Sequence, residues 1–166
     1  MAELDAMDCD EFIRVIGPVF EHSPWIAEST WPRRPFLTFD ALHRALCDTV
    51  AQSGEPKQVA LIQAHPDLVG RAALAGTLTT ASTNEQVSAG LDRLNAEKVV
   101  AFQQYNTEYR QRFGFPFVIC ARLNKKEAIL AAFPKRLLNA REEEIQSALS
   151  EISKIARLRL EDLIKP

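Results

Sequence analysis

The stretch "NAEKVVAFQQYNTEYRQRFG", Asn95 to Gly114, decides the fold. Within it Val99, Phe102, Asn106, Tyr109 and Phe113 recur at three- and four-residue steps, which gathers them on one face of an α-helix. Asn95 stands where a side-chain oxygen can take a free backbone N–H of the first turn. Gly114 stands where a residue of left-handed conformation closes a helix. The spacing therefore predicts a helix from Asn95 to Gly114 with one face turned to a core.

The same period extends outward in both directions. Asp8 and Glu11 form a cap pair ahead of Phe12, Ile16 and Val19. Thr38 is placed to cap a helix carrying Phe39, Leu42, Leu46 and Val50, which ends at Gly54. Pro56 suits the first turn of the next helix, with Val59 and Ile62 pointing inward. Ser82 opens another, and Asn124 with Glu127 and Asn139 with Glu142 supply two more cap pairs. A last helix runs through Ile145, Leu149, Ile152, Ala156, Leu160 and Leu163.

Three stretches break the pattern. "WPRRPF", Trp31 to Phe36, is a proline-punctuated loop, and Val69 to Thr83 holds too many glycines and threonines for a helix over its length. "FPFVICA", Phe115 to Ala121, is a continuous apolar run without helical period. A lone strand would have no partner, so it reads as a buried extended or short helical connector. The expectation is an all-α, single-domain bundle of about seven to nine helices spanning residues 1–166.

Composition narrows the function. Of 166 residues, 46% are apolar and 25% charged, and the formal net charge is −2. That balance argues against a nucleic-acid partner, which calls for a basic surface. No apolar run approaches the roughly 18 residues of a membrane span. The acidic start "MAELDAMDCDEF" lacks the features of a secretion leader, and the end "EDLIKP" is no peroxisomal S-K-L signal, so the cytoplasm is the expected compartment. Cys9, Cys47 and Cys120 are odd in number and far apart, as packed, reduced thiols would be. A phosphate-binding glycine loop, a nucleophile elbow and an H-E-x-x-H zinc motif are all missing.

Three segments carry residue types suited to chemistry. In "AHPDLVG" proline follows His65 and forces it off the helix that ends there. The stop is either a plain helix end or a rigid mount for an imidazole, the side chain best suited to proton transfer near neutral pH. A metal site on His65 and Asp67 would lack a third ligand. In "STNEQ", Ser82 and Glu85 match a capping box, yet Ser82, Glu85 and Gln86 also share one helix face at its positive end. In "RFGFPFVICAR" the apolar residues read as core, and Arg122 closes the run. A buried guanidinium there would need a partner and is well shaped to grip a planar carbonyl or carboxylate.

Taken in order, "WPRRPF", "HPDLVGR", "GTLT", "STNEQ", "AGLDRL", "FGFPFVICAR" and "KIARLRLEDL" make the chain resemble the 2-oxo-4-hydroxy-4-carboxy-5-ureidoimidazoline (OHCU) decarboxylases over nearly its whole length. The resemblance implies an all-α homodimer without metal or organic cofactor, acting on the small molecule OHCU to give (S)-allantoin in urate breakdown. It implies His65 and Glu85 as catalytic residues. It implies Pro66, Ser82, Gln86, Phe117, Val118, Ile119 and Arg122 as substrate contacts. On the same footing, Arg122 and nearby backbone groups would hold the ring carbonyl, and Gln86 and Ser82 the ureido or hydroxyl groups. His65 would give or position the proton, and Glu85 would pair with His65 or crowd the leaving carboxylate. Two rivals stand beside this: a helical binding module in which these residues are only caps and termini, and a hydrolase acting on a related ureido compound.

Overall fold

Several helix starts in this chain are set by side chains that reach back to free N–H groups, as the structure, a computed structural model, shows. It describes residues 1–164. The last two residues, part of the "EDLIKP" reading, lie outside that range. Asp8 accepts from the Glu11 N–H at 2.9 Å, Thr38 from Ala41 at 3.1 Å, and Asn95 from Lys98 at 2.9 Å. Gly114 ends its helix with φ of +79°, a conformation that glycine adopts without side-chain strain.

Among the described residues there are ten α-helices and no strand. They are α1 (Ala2–Ala6), α2 (Cys9–Ile16), α3 (Trp25–Thr30), α4 (Phe39–Gln52), α5 (Glu55–Ala64), α6 (Arg71–Leu74), α7 (Thr80–Ser88), α8 (Ala96–Phe113), α9 (Lys126–Arg136) and α10 (Arg141–Leu163). The all-α expectation holds. The count exceeds the expected range because α1, α3 and α6 are too short to leave a clear periodic signature.

Three expected caps are corrected. Helix α7 begins at Thr80, not Ser82, because Thr79 lies three residues upstream and accepts from the Ser82 N–H at 3.2 Å. Ser82 thus sits inside the first turn. Helix α9 begins after Lys125 with no side-chain cap, since the Asn124 amide donates back to the Cys120 carbonyl at 3.0 Å. Asn139 is drawn away to the Glu144 carboxylate at 2.8 Å, and Glu143 accepts from the Ala140 N–H at the start of α10.

The chain divides into two compact units. One comprises Met1–Ala64 with the residues from Ala156 onward. Its core is Phe12, Ile16, Ile26, Leu42, Leu46, Leu61, Ile62 and Leu160, all buried. Within it Arg159 and Glu21 form a buried ion pair at 2.9 Å, each charge neutralising the other where water is excluded.

The other unit is His65–Ile155. The apolar face of α8 turns inward here as its spacing requires: Phe102, Tyr109 and Phe113 are buried. The Tyr109 ring meets Phe113 at 4.7 Å and Phe117 at 5.3 Å between centroids, and Phe117 stacks on Phe133 at 3.9 Å. Beneath these rings the phenol of Tyr109 donates to Glu144, which also takes the Arg136 guanidinium, with Arg136 Nε at 2.7 Å. Burial, and the Glu144 carboxylate beside it, push the Tyr109 hydroxyl well above its ordinary titration range.

Candidate functional site

Helix α5 ends at Ala64, and proline at 66 keeps His65 from extending it. His65 is buried rather than open to solvent. The turn that follows is tightly determined. Gly70 donates to the Asp67 carbonyl at 3.3 Å, and a Cβ on Gly70 would come within 2.6 Å of the Asp67 Cβ, so only glycine fits. Arg110 Nε donates to both carboxylate oxygens of Asp67, at 2.9 and 3.0 Å. Val69 has φ of +54°, rare for a β-branched side chain.

Helix α7 supplies the next group. Because Thr79 caps it, Ser82, Glu85 and Gln86 lie at i, i+3 and i+4 along one face. Ser82 and Gln86 are buried and Glu85 is half-buried. Gln86 Oε1 accepts from the Val69 N–H at 3.1 Å. Its Nε2 is buried and has no hydrogen-bond partner among the described residues.

The third group is the connector from Phe115 to Cys120, wholly buried, as expected, and outside any helix or strand. Its backbone is held from behind. Arg136 Nη1 donates to the Val118 carbonyl at 2.5 Å, and its guanidinium lies 4.5 Å from the centroid of the Phe117 ring. The Cys120 N–H donates to the Glu151 carboxylate at 2.8 Å. Burial pushes the Cys120 thiol above its ordinary value, and the carboxylates of Glu151 and Glu85 add to the effect.

These three groups line one small cavity, about 350 Å³ of non-atom space when its open mouth is included. His65, Pro66, Ser82, Glu85, Gln86, Phe117, Val118 and Ile119 all border it. Leu68, Ala121 and Ile155 complete the lining, and no sequence signal singled them out. Leu68 lay inside the histidine motif, but Ile155 looks like any buried position of a long helix.

Arg122 is the exception. The chain turns at Ala121–Leu123, which buries Ala121 and leaves Arg122 exposed, outside the cavity lining. The expectation of a buried guanidinium closing the apolar wall is therefore corrected. Among the described residues no group of three His, Cys, Asp or Glu side chains is placed to hold a metal ion. None of their helices is long and apolar enough to cross a membrane. Cys9, Cys47 and Cys120 carry free thiols.

A helical protein with a small, mostly apolar cavity, crossed by a few convergent polar groups, has the make-up of an enzyme for a small polar substrate. Comparison with known proteins gives the class a family. The model of the OHCU decarboxylase family matches residues 5–161, and the chain belongs to that family. It is 40% identical over 164 residues to a 2-oxo-4-hydroxy-4-carboxy-5-ureidoimidazoline decarboxylase of Halalkalicoccus jeotgali, covering 99% of this chain and 91% of that one. It is also 40% identical, over 167 residues, to the mouse protein of the same name, covering 99% and 92%. A crystal structure of (S)-allantoin synthase superposes with a TM-score of 0.78 at 26% identity, covering 99% of this chain and 53% of that one.

Proposed function

We propose that the protein is a carboxy-lyase that converts OHCU to (S)-allantoin in urate breakdown, with the whole chain serving as one functional domain. Family membership supports the reaction class. One observation carries the assignment of the site: Gln86, which borders the cavity, has a buried Nε2 donor with no acceptor among the described residues. Such a group costs stability unless a ligand supplies the acceptor. The carbonyl and ureido oxygens of OHCU are acceptors of the right kind.

The chemistry suits the residues. When the bond from the ring carbon to the carboxylate breaks, carbon dioxide leaves and the electron pair moves into the adjoining C=N or C=O of the ring. No metal or organic cofactor is needed for that step, and the proposal includes none. The carbon that lost the carboxylate becomes a carbonyl as its hydroxyl gives up its proton, and the neighbouring ureido-bearing carbon takes a proton; delivery to one face of that carbon fixes the handedness of allantoin. His65 is the proposed donor or positioner of that proton. Glu85, half-buried on the facing helix, is proposed to pair with His65 and set its protonation, in preference to crowding the departing carboxylate. Ser82 and Gln86 hold the ureido and hydroxyl groups, and Pro66 with Phe117 to Ile119 form the wall against which the ring lies. Arg122, exposed and outside the lining, has no part in this scheme.

The protein is proposed to work as a homodimer in the cytoplasm. Three free thiols and a mildly acidic, ordinary soluble composition are in keeping with that compartment.

The test generates OHCU from urate in situ and follows the circular dichroism of the allantoin formed. The proposal predicts rapid accumulation of the (S) enantiomer. Racemic allantoin, appearing no faster than in a protein-free blank, would sink it. Release of ammonia or ring opening in place of carbon dioxide would point instead to a hydrolase.

A further inference from the structure

Asn106 lies on the buried face of α8 and does not border the cavity. Its Nδ2 donates to the Leu68 carbonyl at 2.8 Å. The N–H on the other edge of that same peptide, at Val69, donates to Gln86 Oε1 at 3.1 Å. One peptide unit is thus held at both ends, by α8 through Asn106 and by α7 through Gln86.

The orientation it holds is an unfavourable one. Val69 sits at φ of +54°, where a branched Cβ crowds its own backbone, so the conformation persists only if the surroundings impose it. Turning the Leu68–Val69 peptide over by half a revolution would carry the φ of Val69 back to the negative side that branched residues favour. That turn would break both hydrogen bonds. It would also remove the hydrogen bond that fixes the Gln86 amide: with Oε1 taken by Val69, Nε2 is the end without a partner among the described residues. Leu68, on the other side of the same peptide, is part of the cavity lining. Val69 is buried, so no water replaces the lost partners.

We infer that Asn106 is a positioning residue for the site: it clamps the strained Leu68–Val69 peptide and so fixes the Gln86 amide and the Leu68 wall for the substrate. The inference rests on the decarboxylase reading above. It gives Asn106 a task separate from filling the core, and the two tasks predict opposite outcomes when Val69 becomes glycine. Glycine accepts a positive φ without strain, so the peptide no longer needs the clamp. Packing, by contrast, suffers further when a second buried side chain is cut away.

The experiment compares Asn106→Leu in two backgrounds, the natural chain and Val69→Gly, by steady-state conversion of OHCU to (S)-allantoin. Against the natural background, Asn106→Leu is expected to lower kcat/KM about tenfold, the worth of one buried hydrogen bond. Against Val69→Gly the same substitution should cost less than about threefold, because the two sites share one strained peptide. An equal or greater loss in the glycine background, or no loss in the natural one, overturns the inference. Should Asn106→Leu fail to fold, Asn106→Ala carries the same comparison. If the natural protein forms no (S)-allantoin, the decarboxylase reading fails, and the clamp is judged by hydrogen exchange. The Val69 amide should then exchange about tenfold faster in the Asn106 variant. An unchanged rate rejects the clamp.

Discussion

The second unit buries two polar clusters, and they are built on opposite terms. Around Glu144 the carboxylate takes the Tyr109 phenol, the Arg136 guanidinium and the Asn139 amide, and Arg136 also caps the Val118 carbonyl. Charge and hydrogen-bonding capacity are matched there. Along α7, α8 and the turn after His65, by contrast, Gln86 Nε2 and Asn106 Oδ1 are the buried side-chain atoms that lack a partner among the described residues, and Val69 is strained. A satisfied cluster has nothing left to offer a ligand. An unsatisfied one beside a cavity is stable only because the rest of the unit supports it, and its unused donor is what a substrate can engage. The two are joined through the wall: Arg136 holds the backbone of the segment whose side chains face the cavity. The first is a foundation and the second a site.

Substitutions separate the two clusters by what they damage. The largest effect on stability belongs to Arg136→Met, which strands Glu144 as a buried charge. Unfolding by denaturant should show a loss of about 3–5 kcal/mol. A loss below 1 kcal/mol would mean that the cluster is not the foundation described.

Next comes Tyr109→Phe, which removes one donor to the carboxylate and should lower stability by about 1.5–3 kcal/mol at neutral pH. It also carries a pH signature. The folded state holds the Tyr109 proton more tightly than the unfolded chain, whose phenol titrates near 10.0. The group's contribution is therefore complete below that pH and is lost as pH rises beyond it. Cys120, raised from an ordinary 9.0, acts in the same direction from a slightly lower pH. Melting temperature measured from pH 8 upward should fall steadily in the natural protein and less steeply above pH 10 in Tyr109→Phe. Parallel curves would remove Tyr109 from the account.

Smaller again is Gln86→Glu, which keeps an oxygen for Val69 and replaces the unused donor. KM should rise about tenfold, and the buried carboxylate should lower the melting temperature at neutral pH. A change in melting temperature without a change in KM would move Gln86 from the site to the foundation. The least effect is expected of Arg122→Ala, whose side chain is exposed and outside the cavity lining. Stability should stay within about 0.5 kcal/mol and kcat/KM within about twofold. A hundredfold loss would restore the substrate-gripping role that its place in the sequence first suggested.

The sequence was legible where structure is decided locally. The helical period of α8 marked Phe102, Asn106, Tyr109 and Phe113 as its inner face because a helix must bury its apolar stripe somewhere. Asp8, Thr38 and Asn95 cap as expected because nothing nearby competes for them. Ser82, Asn124 and Asn139 were misread for the opposite reason: Thr79, the Cys120 carbonyl and Glu144 offered alternatives that only the folded chain brings close. The eight residues from His65 to Ile119 that share the cavity were named because they carry a family pattern, and local physics alone left each with a plain structural explanation. Arg122 went astray because an apolar run says nothing of the direction of the residue just past its turn. The strain at Val69 and the orphaned Gln86 nitrogen left no mark in the sequence, since both arise from how α7 and α8 seize one peptide.

The claim that the unsatisfied cluster is the catalytic site is tested most directly at its histidine. His65→Asn should be assayed beside the natural protein for (S)-allantoin formed from OHCU generated in situ, with far-ultraviolet circular dichroism recorded on both. The account predicts intact helical dichroism and a rate lower by about 10²–10⁴-fold, the usual worth of a positioned proton-transfer group. A folded His65→Asn variant that retains most of its stereospecific turnover would contradict it.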